Sequence, residues 1–472
     1  MTSWRKQKKA DKKPETHRGL LRGPGYDYQI TGKVSPLQIT LRVFLSLILF
    51  GMIYAMLIIL VKGHFEIVAP RRRTNTDPVY SDAQIGRTLH RYNVFKGPWF
   101  STVDKDTYVI PGLKSTRTLR ANLERDRWSI QEILEELDET EAELSDEPME
   151  AEDEGIGAQP EAIEAMEDEP ANEYIDDPAY GPSEKISVCT SMTPQGLCVA
   201  EGYLLISAYC HTHRHNSVIY VLDLETHKYI KEIVLQGRSH VGAIAYDPVH
   251  RNVWVASYDE ENKKAYVNSF VLDAMEIYDF EAEHKALPYT QCFPILSQLH
   301  ASFMTYSGNA LYVGYYTNKR GKESTIQKFE MDEAGGLVTY ANADEMSLSL
   351  FPSIAMPSVI IDVSRKCQGM TFMDGYVLIS QSMGIFDSTI RVYKDNVEDG
   401  YLDARNSKAL HRVKLPSMLE QISTVNDGKL YMVFESAAYA YALWPAVSVD
   451  RVVVLNIGSV ENLIGAVEKE IW

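Results

Sequence analysis

Cysteine is scarce in this chain: five thiols (Cys189, Cys198, Cys210, Cys292 and Cys367) are spread over 472 residues. An odd, widely spaced set among apolar, strand-like residues argues against a disulfide framework and reads as small buried hydrophobes, with one or two bridges as the alternative. Cys198 and Cys210 flank one hairpin but are not opposite each other if its turn centres on Glu201, so they are not paired. Basic residues are missing from one long stretch. Residues 121–180 hold 23 Asp and Glu against Arg125 and Arg127 alone, a charge of −21, so that with a net charge of −18 the remainder carries +3. Such a block repels itself and lacks the apolar content to offset the entropy of ordering, which predicts a solvated, disordered spacer and excludes nucleic acid as a partner. Three catalytic signatures are also absent: the phosphate-binding Gly-rich loop, the nucleophile elbow and the zinc-protease helix. Their absence turns the reading away from an enzyme.

One long uncharged apolar run is present, Val43 to Val61 (VFLSLILFGMIYAMLIILV). Its length matches the roughly 20 residues needed to span a bilayer core. It has no polar stripe and no small-residue cleavage site after it, so it predicts an uncleaved signal anchor and not a buried helix or a removed leader. The tail before it carries Arg5, Lys6, Lys8, Lys9, Lys12, Lys13, Arg18, Arg22 and Lys33 against Asp11, Glu15 and Asp27. Positive charge is retained on the cytoplasmic side, which places the N-terminus there and the rest of the chain outside, although Lys62 and Arg71 to Arg73 weaken the asymmetry. The expected organisation is a basic cytoplasmic tail (1–36), a single-pass transmembrane helix in the lipid bilayer (37–62), an extracytoplasmic spacer (63–183) containing the acidic low-complexity segment 121–180, and one large domain (184–472). Within the spacer, Ser129 and Glu132 have capping-box spacing and start a short helix.

The large domain is built on a repeat. PQGLCVAEGYLLISAYCHTHRHNSVIYVLD from Pro194 aligns almost without gaps on CQGMTFMDGYVLISQSMGIFDSTIRVYKD from Cys367. Each reads as a strand, a tight turn (Glu201-Gly202, Asp374-Gly375), an apolar strand, a polar loop and a third strand. Weaker copies begin at His240, His300 and Gln421, and a fourth strand follows in most units, as in Tyr229–Leu235 and Leu410–Leu415. Period-2 patterning and the density of Val, Ile and Tyr exclude helical repeats. Four antiparallel strands recurring every 45 to 68 residues predict an all-β fold, a β-propeller of about five four-stranded blades. The fifth unit lacks a fourth strand, because Ser459 to Trp472 looks helical; Thr107–Ile110 or Ile186–Cys189 could supply it and close the ring. If both early segments join, a sixth irregular blade is the alternative.

The two strong units and the single-span layout resemble membrane-anchored β-propeller proteins of Gram-positive bacteria, within the quinoprotein-like and lactonase-like propellers. The resemblance implies an extracytoplasmic propeller with a ligand on one face of its channel. It carries over no activity.

Inner strands line a propeller's channel, and the units begin at Gln195, His240, His300, Gln368 and Gln421. Amides and imidazoles around one ring would converge on a polar ligand, an oxyanion or a divalent metal held by His240 and His300. Loops of the same face add His211, His213, Asp259, Glu435, Tyr439, Tyr441 and Trp444. The alternation His211, His213, His215 is that of a metal-binding strand, with Arg214 arguing against a cation. These features predict a surface-displayed module that binds a cell-wall, carbohydrate or protein ligand. The alternatives are a metal-assisted lyase or lactone hydrolase with Glu435 or Asp259 as base, and a scaffold of a membrane complex.

Overall fold

The computed structural model of the chain describes residues 36–66, 73–121, 186–259, 263–296, 300–319, 322, 324–341, 354–397, 402, 409–425, 427–441 and 447–468. The basic tail, the acidic segment beyond position 121, its capping box and Trp444 lie outside these residues. The apolar run forms part of a 31-residue helix, Pro36–Glu66. Counted over the residues whose side chains are described, which break off within this helix, no helix is long and apolar enough to cross a membrane.

The β domain is a five-bladed propeller of four-stranded antiparallel sheets. Blade 1 comprises Met192–Ala200, Tyr203–Cys210, Val218–Asp223 and Tyr229–Val234, and blade 2 Ile244–Asp247, Asn252–Asp259, Lys264–Val271 and Gln291–Ile295. Blade 3 comprises Ala301–Ser307, Ala310–Tyr315, Ser324–Glu330 and Val359–Val363, and blade 4 Cys367–Met373, Tyr376–Gln381, Ser388–Lys394 and His411–Leu415. Blade 5 takes Leu419–Thr424, Lys429–Phe434 and Arg451–Asn456 from the end of the chain and its outer strand, Thr107–Val109, from before the first unit. Tyr108 pairs with Val452 and is buried, its ring stacked 4.0 Å from His227 and its hydroxyl donating to Leu224 O of blade 1. The ring is thereby closed by hydrogen bonds between distant parts of the chain, which pair the outer edge of Arg451–Asn456.

Two expectations are corrected here. Ile186–Cys189 joins no blade; it pairs with Thr116–Leu119 in a two-stranded sheet, so among the described residues there are five blades and no sixth. The domain boundary does not fall at 184 either. Helix Asp82–Leu89 buries Ile85 and Leu89 in the cluster that contains Leu430 and Phe434 of blade 5, and buried Asp450 accepts hydrogen bonds from Val79 N and Tyr80 N at 2.7 Å each. Residues from Thr74 to Ala121 belong to the propeller, and the acidic segment is an excursion between two paired strands. Of the two candidates for the closing strand, Thr107–Ile110 is the one that joins blade 5, and this places the chain before the acidic segment in the propeller.

Tight turns and small residues let the blades pack. Asp374 and Gly375 both have positive φ (53° and 75°), the backbone of a two-residue hairpin between Met373 and Tyr376. A Cβ on Gly196 would lie 2.6 Å from Gly242 O of the blade 2 entry, and one on Gly369 would lie 2.9 Å from Gln421 Cα of blade 5. The repeated serine of each strong unit ties the same seam: Ser207 Oγ donates to Val241 O at 2.6 Å and Ser380 Oγ to Glu420 O at 2.8 Å. Strands Met192–Ala200 and Tyr203–Cys210 are buried almost throughout, having a neighbouring blade on each face. The helical reading after Ser459 corresponds to helix Val460–Glu468, which buries Val460 and Leu463.

Candidate functional site

Register decides which residues are equivalent around the channel. In blades 1 and 4 the inner strand bulges between Pro194 and Gly196 and between Cys367 and Gly369, so Gln195 and Gln368 are the bulged residues. A bulge re-aims its side chain, here out of the ladder at the start of the inner strand. Blade 3 bulges at Ser302, between Ala301 and Phe303, and blade 5 between Leu419 and Ile422. Because Ile422 pairs with Met432 as Leu197 pairs with Ile206, the position of Gln195 falls on Glu420 in blade 5 and not on Gln421. The expected ring is thus redrawn as Gln195, Gly242, Ser302, Gln368 and Glu420, with His240 and His300 two residues before their blades' positions.

Gln421 has a different place. Its Nε2 donates to Ile244 O and Met304 O, 2.7 Å each, on the inner strands of blades 2 and 3. The side chain therefore spans the axis of the channel and is locked against other blades' backbone. On the turn side of it, away from the strand starts, lies a cavity of about 880 Å³ bordered by Thr305, Thr371, Ser423 and Thr424. The carboxylates that border it are engaged: Glu201 with Arg251 and Tyr246, Asp374 with Val460 N, and Asp427 with Tyr431.

At the strand-start mouth the chemistry converges. Gln195 Nε2 donates to Glu435 Oε2 at 2.6 Å, and Gln368 Nε2 donates to Glu420 Oε1 at 3.3 Å. Glu420 and Glu435 are also hydrogen-bonded to each other. Burial pushes both carboxyls up; the nearby Glu435 charge raises Glu420 further, well above the usual range, whereas hydrogen bonds from Gln195 and Glu420 moderate Glu435 to about 7. Two acids in this relation hold one proton between them near neutrality, Glu420 as donor and Glu435 as the carrier of charge. Glu435 was expected on this face; Glu420 was overlooked because it precedes the residue taken as the unit's start.

Aromatic rings and neutral imidazoles surround the pair. Tyr209 lies 4.2 Å from His240 and Tyr258 lies 4.0 Å from His300, each a tyrosine from the end of a second strand against the entry of the next blade. Desolvation, then the neighbouring His300, His213 and His211, lowers His240 to about 3, and desolvation lowers His213 to about 4; His211 and His300, though exposed to solvent on one side, shift in the same direction. Tyr209 Oη is 3.1 Å from His211 Nδ1 and hydrogen-bonded to Tyr441, whose ring meets His211 edge-on at 5.5 Å. Tyr439 is half-buried near Tyr441, and Asp259 closes its strand opposite Lys264. The imidazoles of the His211, His213, His215 series part company: His211 and His213 lie by Tyr209, while His215 points inward to Cys210. Among the described residues, the cluster of three or more metal-ligating side chains is Cys189, Cys210 and His215, which does not include His240 or His300.

No protein family and no curated protein matches the chain in sequence. Among solved structures it is similar to the hydrazine synthase of Kuenenia stuttgartiensis, with 12% identity and a TM-score of 0.29, over 52% of this chain and 56% of that one. The chain thus spans little more than half of that protein's length, and so loose a likeness carries no argument; the blades rest on strand pairing alone.

Proposed function

We propose that the chain is a membrane-anchored, extracytoplasmic binding module whose propeller takes a polyhydroxylated, carbohydrate-type ligand of the cell wall at the strand-start mouth. One observation supports this above the rest: the Glu420–Glu435 pair, fixed by Gln195 and Gln368, lies beside Tyr209 and Tyr441, with the His240 ring against Tyr209. A single shared charge accepts hydroxyl hydrogen bonds without the desolvation cost of two, uncharged imidazoles offer further donors and acceptors, and aromatic faces stack on the apolar side of sugar rings. The apolar run within Pro36–Glu66 and the basic tail before it support the anchor and a cytoplasmic N-terminus, a layout like that of Gram-positive surface propellers.

The test is retention of the full-length chain on cell-wall polysaccharide and glycan panels. Glu435→Gln combined with Tyr441→Ala is expected to weaken binding at least about tenfold, the loss of roughly one charged hydrogen bond and one stacking contact. Unchanged retention would remove the mouth from consideration. A second reading has its own support, since a carboxyl titrating near neutrality can also act as acid or base, as in a lyase or lactone hydrolase. Turnover that vanishes in Glu435→Gln while binding persists would favour that reading.

A further inference from the structure

Away from the mouth, three buried side chains meet where the chain returns from its acidic excursion. Cys189 ends the strand that pairs with Thr116–Leu119, Cys210 ends the second strand of blade 1, and His215 follows in the loop after it. Cys189 Sγ is 3.3 Å from Cys210 Sγ, and Cys210 Sγ is 3.3 Å from His215 Nδ1. All three potential ligand atoms lie within 4.8 Å of one another, and the residues are buried. We propose that Cys189, Cys210 and His215 form a structural site for a thiolate-preferring divalent cation, zinc in the first instance, that clasps the returning strand to blade 1.

The donor set is the first reason. Two sulfurs and an imidazole suit zinc, whereas oxygen-seeking calcium or magnesium has no carboxylate in this cluster among the described residues. Geometry is the second. Tetrahedral zinc with Zn–S near 2.3 Å separates its sulfurs by roughly 3.8 Å, so the 3.3 Å contact must open by about half an ångström. The outer contacts are the third reason. His215 Nε2 lies 3.1 Å from Ser187 Oγ, the kind of hydrogen bond that fixes a ligating imidazole by its other nitrogen. Ser191 Oγ, 3.6 Å from Cys189 Sγ and 3.5 Å from Cys210 Sγ, and Thr212 Oγ1, 3.2 Å from Cys210 Sγ, can hydrogen-bond a water in a fourth position. A cation there would connect the far end of the excursion to the propeller, so metal binding would be coupled to folding of this seam.

The experiment measures metal and thiols on the purified full-length chain in mild detergent. About one zinc per chain is expected, with Cys189 and Cys210 protected from alkylation until a chelator is added. Cobalt(II) added to the metal-free chain should give thiolate-to-metal charge-transfer absorption that is lost in Cys210→Ser and His215→Ala and kept in Cys367→Ser. Two results would overturn the proposal: a Cys189–Cys210 disulfide found by mass spectrometry in the metal-free chain as isolated, or two reduced thiols that take up neither zinc nor cobalt. Both are read on the unaltered chain, so a variant that fails to fold leaves the test intact.

Discussion

Replacing both mouth acids by their amides, Glu420→Gln with Glu435→Gln, should remove a pH dependence of stability that the shared proton imposes. Glu435 titrates near 4.5 when solvated and near 7 in the folded chain, so the native state keeps a proton that the unfolded chain releases. Stability from this source is fully present below about pH 4.5 and is lost as pH rises toward 7. A shift of this size corresponds to about 3 kcal/mol, and Glu420, held higher still, adds in the same direction. The amides keep the shape and the acceptor for Gln195 while having no proton to lose. Urea denaturation of the full-length chain, followed by tryptophan fluorescence that reports on fully buried Trp254 among others, would be measured at pH 5, 6, 7 and 8. Wild type should lose at least about 3 kcal/mol more than the variant over this range. Other raised carboxyls, Glu232 and Asp450, are common to both proteins and cancel in the difference. Parallel curves would refute the shared-proton description.

Other perturbations probe ring closure and the axis. Tyr108→Ala removes the buried ring that holds the closing strand and should cost about 3 kcal/mol or more in thermal or urea unfolding. Gly369→Ala drives a Cβ to 2.8 Å from Ile422 N and should cost about 1–3 kcal/mol, whereas Gly202→Ala, where nothing lies within 4 Å, should be close to neutral by the same measurement. Gln421→Leu leaves Ile244 O and Met304 O without the amide that bridges them and should destabilise by about 2 kcal/mol, with glycan retention at the mouth unchanged.

The scaffold was legible because the repeat is written in residues whose roles are local. The turn pairs, the LIS serines and the apolar strands of the first and fourth units all have structural counterparts, and Thr107–Ile110 was one of two candidates for the closing strand. The site was less legible. Gln421 was grouped with Gln195 and Gln368 by residue type, but the hairpin after it is one residue longer: Val199 pairs with Leu204 across four residues, whereas its counterpart Thr424 pairs with Leu430 across five, and this moves the frame by one. Cysteines are equally ambiguous: Cys198 and Cys367 are buried apolar neighbours as expected, Cys292 is exposed, and only the fold brings Cys189 beside Cys210.

The mouth draws its chemistry from the places where the repeat is broken. At the position that bulges in blades 1, 3, 4 and 5 the five blades read Gln195, Gly242, Ser302, Gln368 and Glu420; at or just past the end of the second strand they read Tyr209, Tyr258, Tyr316, Ser382 and Glu435. A scaffold under packing constraints alone has no reason to put acids at both positions of one blade, because two carboxyls at bonding distance raise each other's cost of ionisation and are costly to bury. Both fall in blade 5, the blade whose closing strand comes from the other end of the chain. The amides needed to hold the pair come from blades 4 and 1, its two neighbours in the ring. The pair lowers stability above neutral pH and recruits donors from both flanking blades, an arrangement that packing alone does not call for and that fits the site proposed at the mouth.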